Sequence, residues 1–242
     1  MKTKFLHIAT ALLFAGFTSS CSDFLDRYPL DELSDSSFWK TENDAMMAVT
    51  DIYGCLPTWD QDEDINSDNA VHGIKWAAGN ISKGIYDPMD QSWAGSYTPI
   101  RQCNLVLEKV KDIEMSDESR KKIEGQAYFF RAFVYFNLIR SFGDVPYIDK
   151  PLNLTDVEDI TRTPREEVYA KVMADFDKAI EYLPEEWDAA NTPRVTKGAA
   201  LAMKARAALY YNNWQVAADA SKAVMDLGKY ELYDAGNTGK YQ

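Results

Sequence analysis

The amino-acid sequence predicts an all-α protein, a set of packed helical hairpins with long irregular loops, and three observations predict it. Apolar residues recur every three or four positions over several separate stretches, as in helices that bury one face. Polar residues suited to helix N-caps, among them Thr41, Ser116 and Thr196, stand immediately before such stretches. Near the end of the chain two alanine-rich stretches are separated only by Asn212-Asn213, the pattern of closely packed antiparallel helices. The 242 residues are 46% hydrophobic and 26% charged, with 12 Gly and 9 Pro. That composition excludes collagen-like, low-complexity and wholly disordered classes, and the length is ample for a sizeable core.

The first segment in chain order is an export signal. Residues 1–20 carry Lys2 and Lys4, an apolar stretch from Phe5 to Phe17, and the small residues Thr18, Ser19 and Ser20 ahead of Cys21. The 13-residue apolar stretch is short of the roughly 20 residues that span a bilayer, so it reads as a cleaved leader. Cleavage immediately before a cysteine, with small residues preceding it, predicts a bacterial lipoprotein with Cys21 acylated. The box is relaxed, because Thr18 stands where leucine is usual. Residues 21–37 are polar and turn-rich and read as a lipidated tether. The folded part is expected over 38–242.

Thr41 and Asp44 have capping-box spacing, and Ala45, Met46, Val49, Ile52 and Tyr53 follow at helical spacing, so a helix is expected over about 42–55. Pro57, Gly73, Gly79, Gly84 and Pro88 break the pattern through residue 91. Tyr97, Ile100, Asn104, Leu107 and Val110 restore it to about 112, with a helix that either starts near Thr98 or kinks at Pro99. After Ser116 the stripe Ile123, Ala127, Phe130, Val134, Leu138 is widened by Tyr128, Tyr135 and Ile139, which marks a central buried helix closed by Gly143 and Pro146. Thr163-Pro164-Arg165-Glu166 predicts a helix start with Thr163 as N-cap. Val168, Val172, Phe176 and Ile180 then follow, with Glu167 and Lys171 spaced for an ion pair. Thr196 opens the alanine-rich hairpin, which runs through Trp214 to a glycine cap at Gly228 and is tetratricopeptide-like.

The net charge of −12, from 38 acidic against 26 basic residues, repels phosphate backbones and excludes nucleic acid as a partner. No nucleophile constellation is present: His7 lies in the leader and His72 stands alone, so no enzyme is expected and no cofactor or metal. Asp60, Asp62, Asp64, Asn66 and Asp68 alternate as in a calcium loop, but Ile65 replaces the required glycine and Val71 the required glutamate. Cys55 and Cys103 are expected as two buried thiols. Trp59 and Trp76 stand in the polar segment with Asp68 and Asn80. Flat rings stack on sugar faces while carboxylates and amides bond hydroxyls, so these four residues form the candidate glycan site. Trp93, Trp187 and Trp214 are expected in the core, and Arg131 and Arg140 are expected to pair with buried carboxylates.

The run Gly125-Gln126-Ala127-Tyr128-Phe129-Phe130-Arg131-Ala132-Phe133, continuing to Phe142-Gly143-Asp144-Val145-Pro146, resembles the SusD/RagB family. So do Cys21-Ser22-Asp23-Phe24-Leu25-Asp26, Phe38-Trp39, Trp93 with Tyr97, Ile100 and Asn104, Thr163 to Tyr169, and the Lys197 to Tyr230 hairpin, in collinear order. Members of that family are usually longer, so the resemblance implies the N-terminal part of a SusD-like fold with its C-terminal half absent. It also implies a lipid-anchored, surface-exposed outer-membrane protein of Bacteroidetes type that binds oligosaccharides and hands them to a SusC-like TonB-dependent transporter. The resemblance places ligand contacts between the first and second helices. A peptide-binding RagB-like protein, or a tetratricopeptide adaptor that binds protein only, would use the same scaffold.

Overall fold

The structure is a computed structural model that describes residues 38–56 and 93–231. Cys21, Trp59, Asp68, Trp76, Asn80 and the aspartate run 60–68 lie outside the described residues. The helices fall within the compact unit Trp39–Gln242. They are α1 (Glu42–Ile52), α2 (Trp93–Lys109), α3 (Asp117–Phe142), α4 (Arg165–Tyr182), α5 (Lys197–Tyr210) and α6 (Trp214–Asp226), and no strand occurs among the described residues.

Local chemistry sets most boundaries. Asp44 accepts a bond from the Thr41 backbone N–H at 2.8 Å and returns its own N–H to the Thr41 hydroxyl at 3.3 Å, closing the capping box of α1. Ser116 accepts from the Ser119 N–H at 3.0 Å and Thr196 from the Ala199 N–H at 3.3 Å. Gly143, at φ 70°, turns the chain out of α3 in a conformation that a side chain would strain.

Tertiary contacts decide two starts: for α2 they select the alternative in which the helix runs through Pro99, and for α4 they replace the expected cap. α2 begins at Trp93 and carries Pro99 inside it. Its first turn is held from outside, with the Trp93 ring edge-on to Phe142 at 4.9 Å between centroids and Arg162 over the same ring at 5.5 Å. Thr163 is not the N-cap of α4. Its backbone pairs with Val145 in an antiparallel bridge, N–H to O at 2.9 and 3.2 Å, and this brings Asp144 to the helix start. The Asp144 carboxylate accepts from the Arg165 N–H at 2.9 Å, so the cap comes from 21 residues upstream. The Glu167–Lys171 pair does not form, and Lys171 lies 5.9 Å from the Tyr147 ring centroid.

α3 is the axis of the bundle: α1 and α2 pack on it, α4 packs along it, α5 on α4, and α6 on α5. It buries Ile123, Ala127, Phe130, Val134, Tyr135, Phe136, Leu138 and Ile139 around almost its whole circumference. Gly125 permits the close approach to α4, because a Cβ there would lie 3.0 Å from the Tyr182 Cβ and 3.1 Å from the Leu183 Cγ. Arg131 donates to both Asp175 carboxylate oxygens at 2.7 Å and to Asn104 Oδ1 at 2.8 Å, and the Asn104 amide donates on to the Ile148 carbonyl at 2.9 Å. This buried network joins α2, α3 and α4. Burial pushes the Asp175 carboxyl up, against the opposing pull of the guanidinium.

Trp187 is buried, with its indole N–H on the Val195 carbonyl at 2.8 Å, and Trp93 is half-buried. Trp214 is not in the core: it is 60% exposed. α6 turns Ala217 and Ala220 inward, whereas Trp214 shares a line with exposed Met225 to one side of that face. Arg140 departs from expectation as well. It is exposed and has no carboxylate partner among the described residues; its guanidinium sits over the Phe136 and Tyr210 rings instead.

Candidate functional site

The described chain stops at residue 56 and resumes at 93, and a cleft lies beside both points. Its walls are the end of α1 with Gly54 and Cys55, the first half of α2, and α3 at Phe133 to Asn137. The volume is about 540 Å³, within the roughly 300–1,000 Å³ of small-molecule sites.

Three features equip the cleft for a hydroxyl-rich ligand. Gln102 donates to the Asp51 carboxylate, which joins α1 to α2 across one wall and leaves the second carboxylate oxygen to accept. Asn137 spends one amide N–H on the Phe133 carbonyl at 3.1 Å and keeps its carbonyl oxygen available. Ser96 and Thr98 of α2 also line the cleft, and Phe133, half-buried and stacked on Phe129, supplies an aromatic surface. Gly54, with no heavy atom within 4 Å of where a Cβ would stand, keeps the rim open.

The described residues lining the cleft include no activated nucleophile. Cys55 and Cys103 are both free, and burial raises the Cys55 thiol to about 11 and pushes Cys103 higher still, so both stay protonated near neutral pH. Cys103 is buried as expected, whereas Cys55 is half-buried at the cleft. No group of three or more His, Cys, Asp or Glu among the described residues could hold a metal ion.

The four sequence-derived candidates, Trp59, Asp68, Trp76 and Asn80, lie outside the described residues, in the interval between residues 56 and 93. Sequence reasoning missed the scaffold side of the site. Its one signal was polar residues within otherwise apolar helices: Asn137 follows an aromatic-rich run, and Asp51 and Gln102 each adjoin a buried position.

The sequence profile of the SusD-like family described as starch-binding associating with outer membrane matches residues 24–209. The chain belongs to this SusD-like family. It is 29% identical over 240 residues to SusD-like protein P2 of Formosa agariphila, covering 93% of this chain and 46% of that relative. The backbone is similar to a SusD-like protein from Bacteroides fragilis, with TM-score 0.75 and 29% identity over 86% of this chain and 42% of the other. It also shares its fold with a laminarin-binding SusD-like protein, with TM-score 0.70 and 24% identity over 76% of this chain and 43% of the other. The SusD-like chain thus spans less than half the length of the relatives it matches. The all-α, hairpin-based fold expected from the sequence is the fold of this family.

Proposed function

We propose that this SusD-like protein is a cell-surface lipoprotein that captures oligosaccharides and passes them to a TonB-dependent outer-membrane transporter, without catalysis. The observation that carries the reading is the match of residues 24–209 to a family of starch-binding, outer-membrane-associated proteins. The laminarin-binding relative supports a glycan ligand on the same fold. The cleft agrees chemically, since Asp51, Gln102 and Asn137 offer acceptors and donors for sugar hydroxyls beside the ends of the segment that carries Trp59 and Trp76. In this reading Trp76 and Trp59 stack on sugar rings, Asp68 and Asn80 bond hydroxyls, and acylated Cys21 holds the protein on the outer membrane.

Calorimetric titration with malto- and laminari-oligosaccharides tests it. Saturable binding is expected, and Trp76→Ala should weaken it by about 1 kcal/mol, the scale of one aromatic contact, without lowering the melting temperature. Binding at full affinity in the variant removes Trp76 from the site. Binding of a peptide pool and of no oligosaccharide overturns the glycan reading itself.

A further inference from the structure

A second crevice, of about 280 Å³, opens where α3 ends, α4 begins and α5 turns into α6. Arg140, Arg165, Glu166, Tyr210, Tyr211 and Asn212 line it, and it shares no residue with the cleft described above. We propose that this crevice binds a single acidic sugar residue, a uronate or a sulfated sugar, as a subsite separate from the main glycan site. The proposal rests on the reading of the protein as a glycan binder and adds a ligand class to it.

Arg140 carries the argument. Its guanidinium carbon lies 5.9 Å from the ring centroids of both Phe136 and Tyr210, which themselves meet edge-to-face at 5.5 Å. Two rings therefore hold the guanidinium in place, and no carboxylate among the described residues pairs with it. Among the described residues no acceptor takes up its hydrogen-bond donors, and the two rings are its contacts. A planar, pre-positioned guanidinium is the side chain best suited to grip a carboxylate or sulfate through two parallel hydrogen bonds. Its place in the last turn of α3 accounts for a positive charge there, which lysine would serve equally. It does not account for the clasp by two rings.

The other walls suit the rest of a sugar. Arg165 and Glu166 pair at 2.7 Å and cancel each other's charge, so Arg140 remains the unmatched one in the lining; the pair still offers donors and acceptors to hydroxyls. Asn212 sits at the turn with φ 57°, and its side-chain amide is unspent among the described residues. Tyr210 is 55% exposed and gives the apolar surface on which the C–H face of a sugar can rest. The volume falls just below the roughly 300 Å³ at which small-molecule sites begin, which limits the occupant to one ring.

The test uses the full protein and three monosaccharide probes followed by NMR titration: methyl β-glucuronide, methyl β-galactoside 6-sulfate and neutral methyl β-glucoside. One or both acidic probes should bind saturably and at least tenfold more tightly than the neutral one, and the pair of acidic probes tells a carboxylate site from a sulfate site. Arg140→Gln should weaken that binding at least tenfold, Arg140→Lys should restore only part of it, and Tyr210→Ala should cost several-fold. Both side chains are exposed, and an unchanged thermal melt shows that the variants fold. Equal affinity for acidic and neutral probes, no saturable acidic binding, or full acidic binding in Arg140→Gln overturns the proposal. The main site is followed separately with neutral oligosaccharides: binding weakened in Trp76→Ala but not in Arg140→Gln keeps the two sites distinct. Acidic binding that depends on Arg140, without any neutral oligosaccharide binding, would sink the neutral-glycan reading and leave this one standing.

Discussion

Replacing Asp175 with leucine should destabilise the protein by about 3–5 kcal/mol, because it leaves Arg131 as an uncompensated charge inside the bundle. The side chains of the pair are each only 8% exposed, so water cannot take over the lost bonds. The guanidinium would retain its bond to Asn104 Oδ1 at 2.8 Å, but two bonds of 2.7 Å to the carboxylate would go. For a domain of this size each kcal/mol corresponds to about 2–4 °C, so the melting temperature should fall by roughly 6–20 °C. The double variant Arg131→Met with Asp175→Leu removes both charges and fills similar volume. Its remaining defect is Asn104 short of one donor, worth about 1–3 kcal/mol. The double variant should therefore be more stable than Asp175→Leu alone, as read from urea unfolding monitored by circular dichroism. A single variant that loses less than 1 kcal/mol, or a double variant that is the less stable of the two, would refute the account of the network as a cost met only in pairing.

Gly125→Ala should destabilise by about 1–3 kcal/mol, seen as a lower thermal midpoint, since the added Cβ meets the Tyr182 Cβ at 3.0 Å. Asp144→Ala should cost about 1 kcal/mol in the same melt by uncapping the Arg165 N–H, whereas Thr163→Val should cost less because its side chain does not cap α4. Cys21→Ala should move the protein from the membrane to the soluble fraction, since acyl chains contribute about 0.8 kcal/mol per buried CH₂. Intact mass showing an unmodified Cys21 in the native protein would contradict the anchor.

Helix identity and most helix ends were legible in the sequence because they depend on groups within one turn of each other. Thr41 with Asp44, Ser116 with Ser119 and Thr196 with Ala199 cap at a separation of three residues, and Gly228 adopts φ 62° as a terminal glycine should. The central position of α3 was legible for the same reason: a face as broad as Ile123 to Ile139 needs neighbours on several sides.

What the sequence could not determine is which partner each side chain meets across the bundle. Asp144 caps α4 only because the Val145–Thr163 bridge folds it back, and Pro99 sits inside α2 because Phe142 and Arg162 hold Trp93 in the first turn. Arg131 and Arg140 lie on the same helix in similar aromatic surroundings, and one found a buried carboxylate while the other found two rings. Periodicity tells which residues share a face of a helix. Only the packing of α4 and α5 against α3 decides whether that face meets Asp175 or Tyr210, because the contact energies depend on distances between elements far apart in the chain.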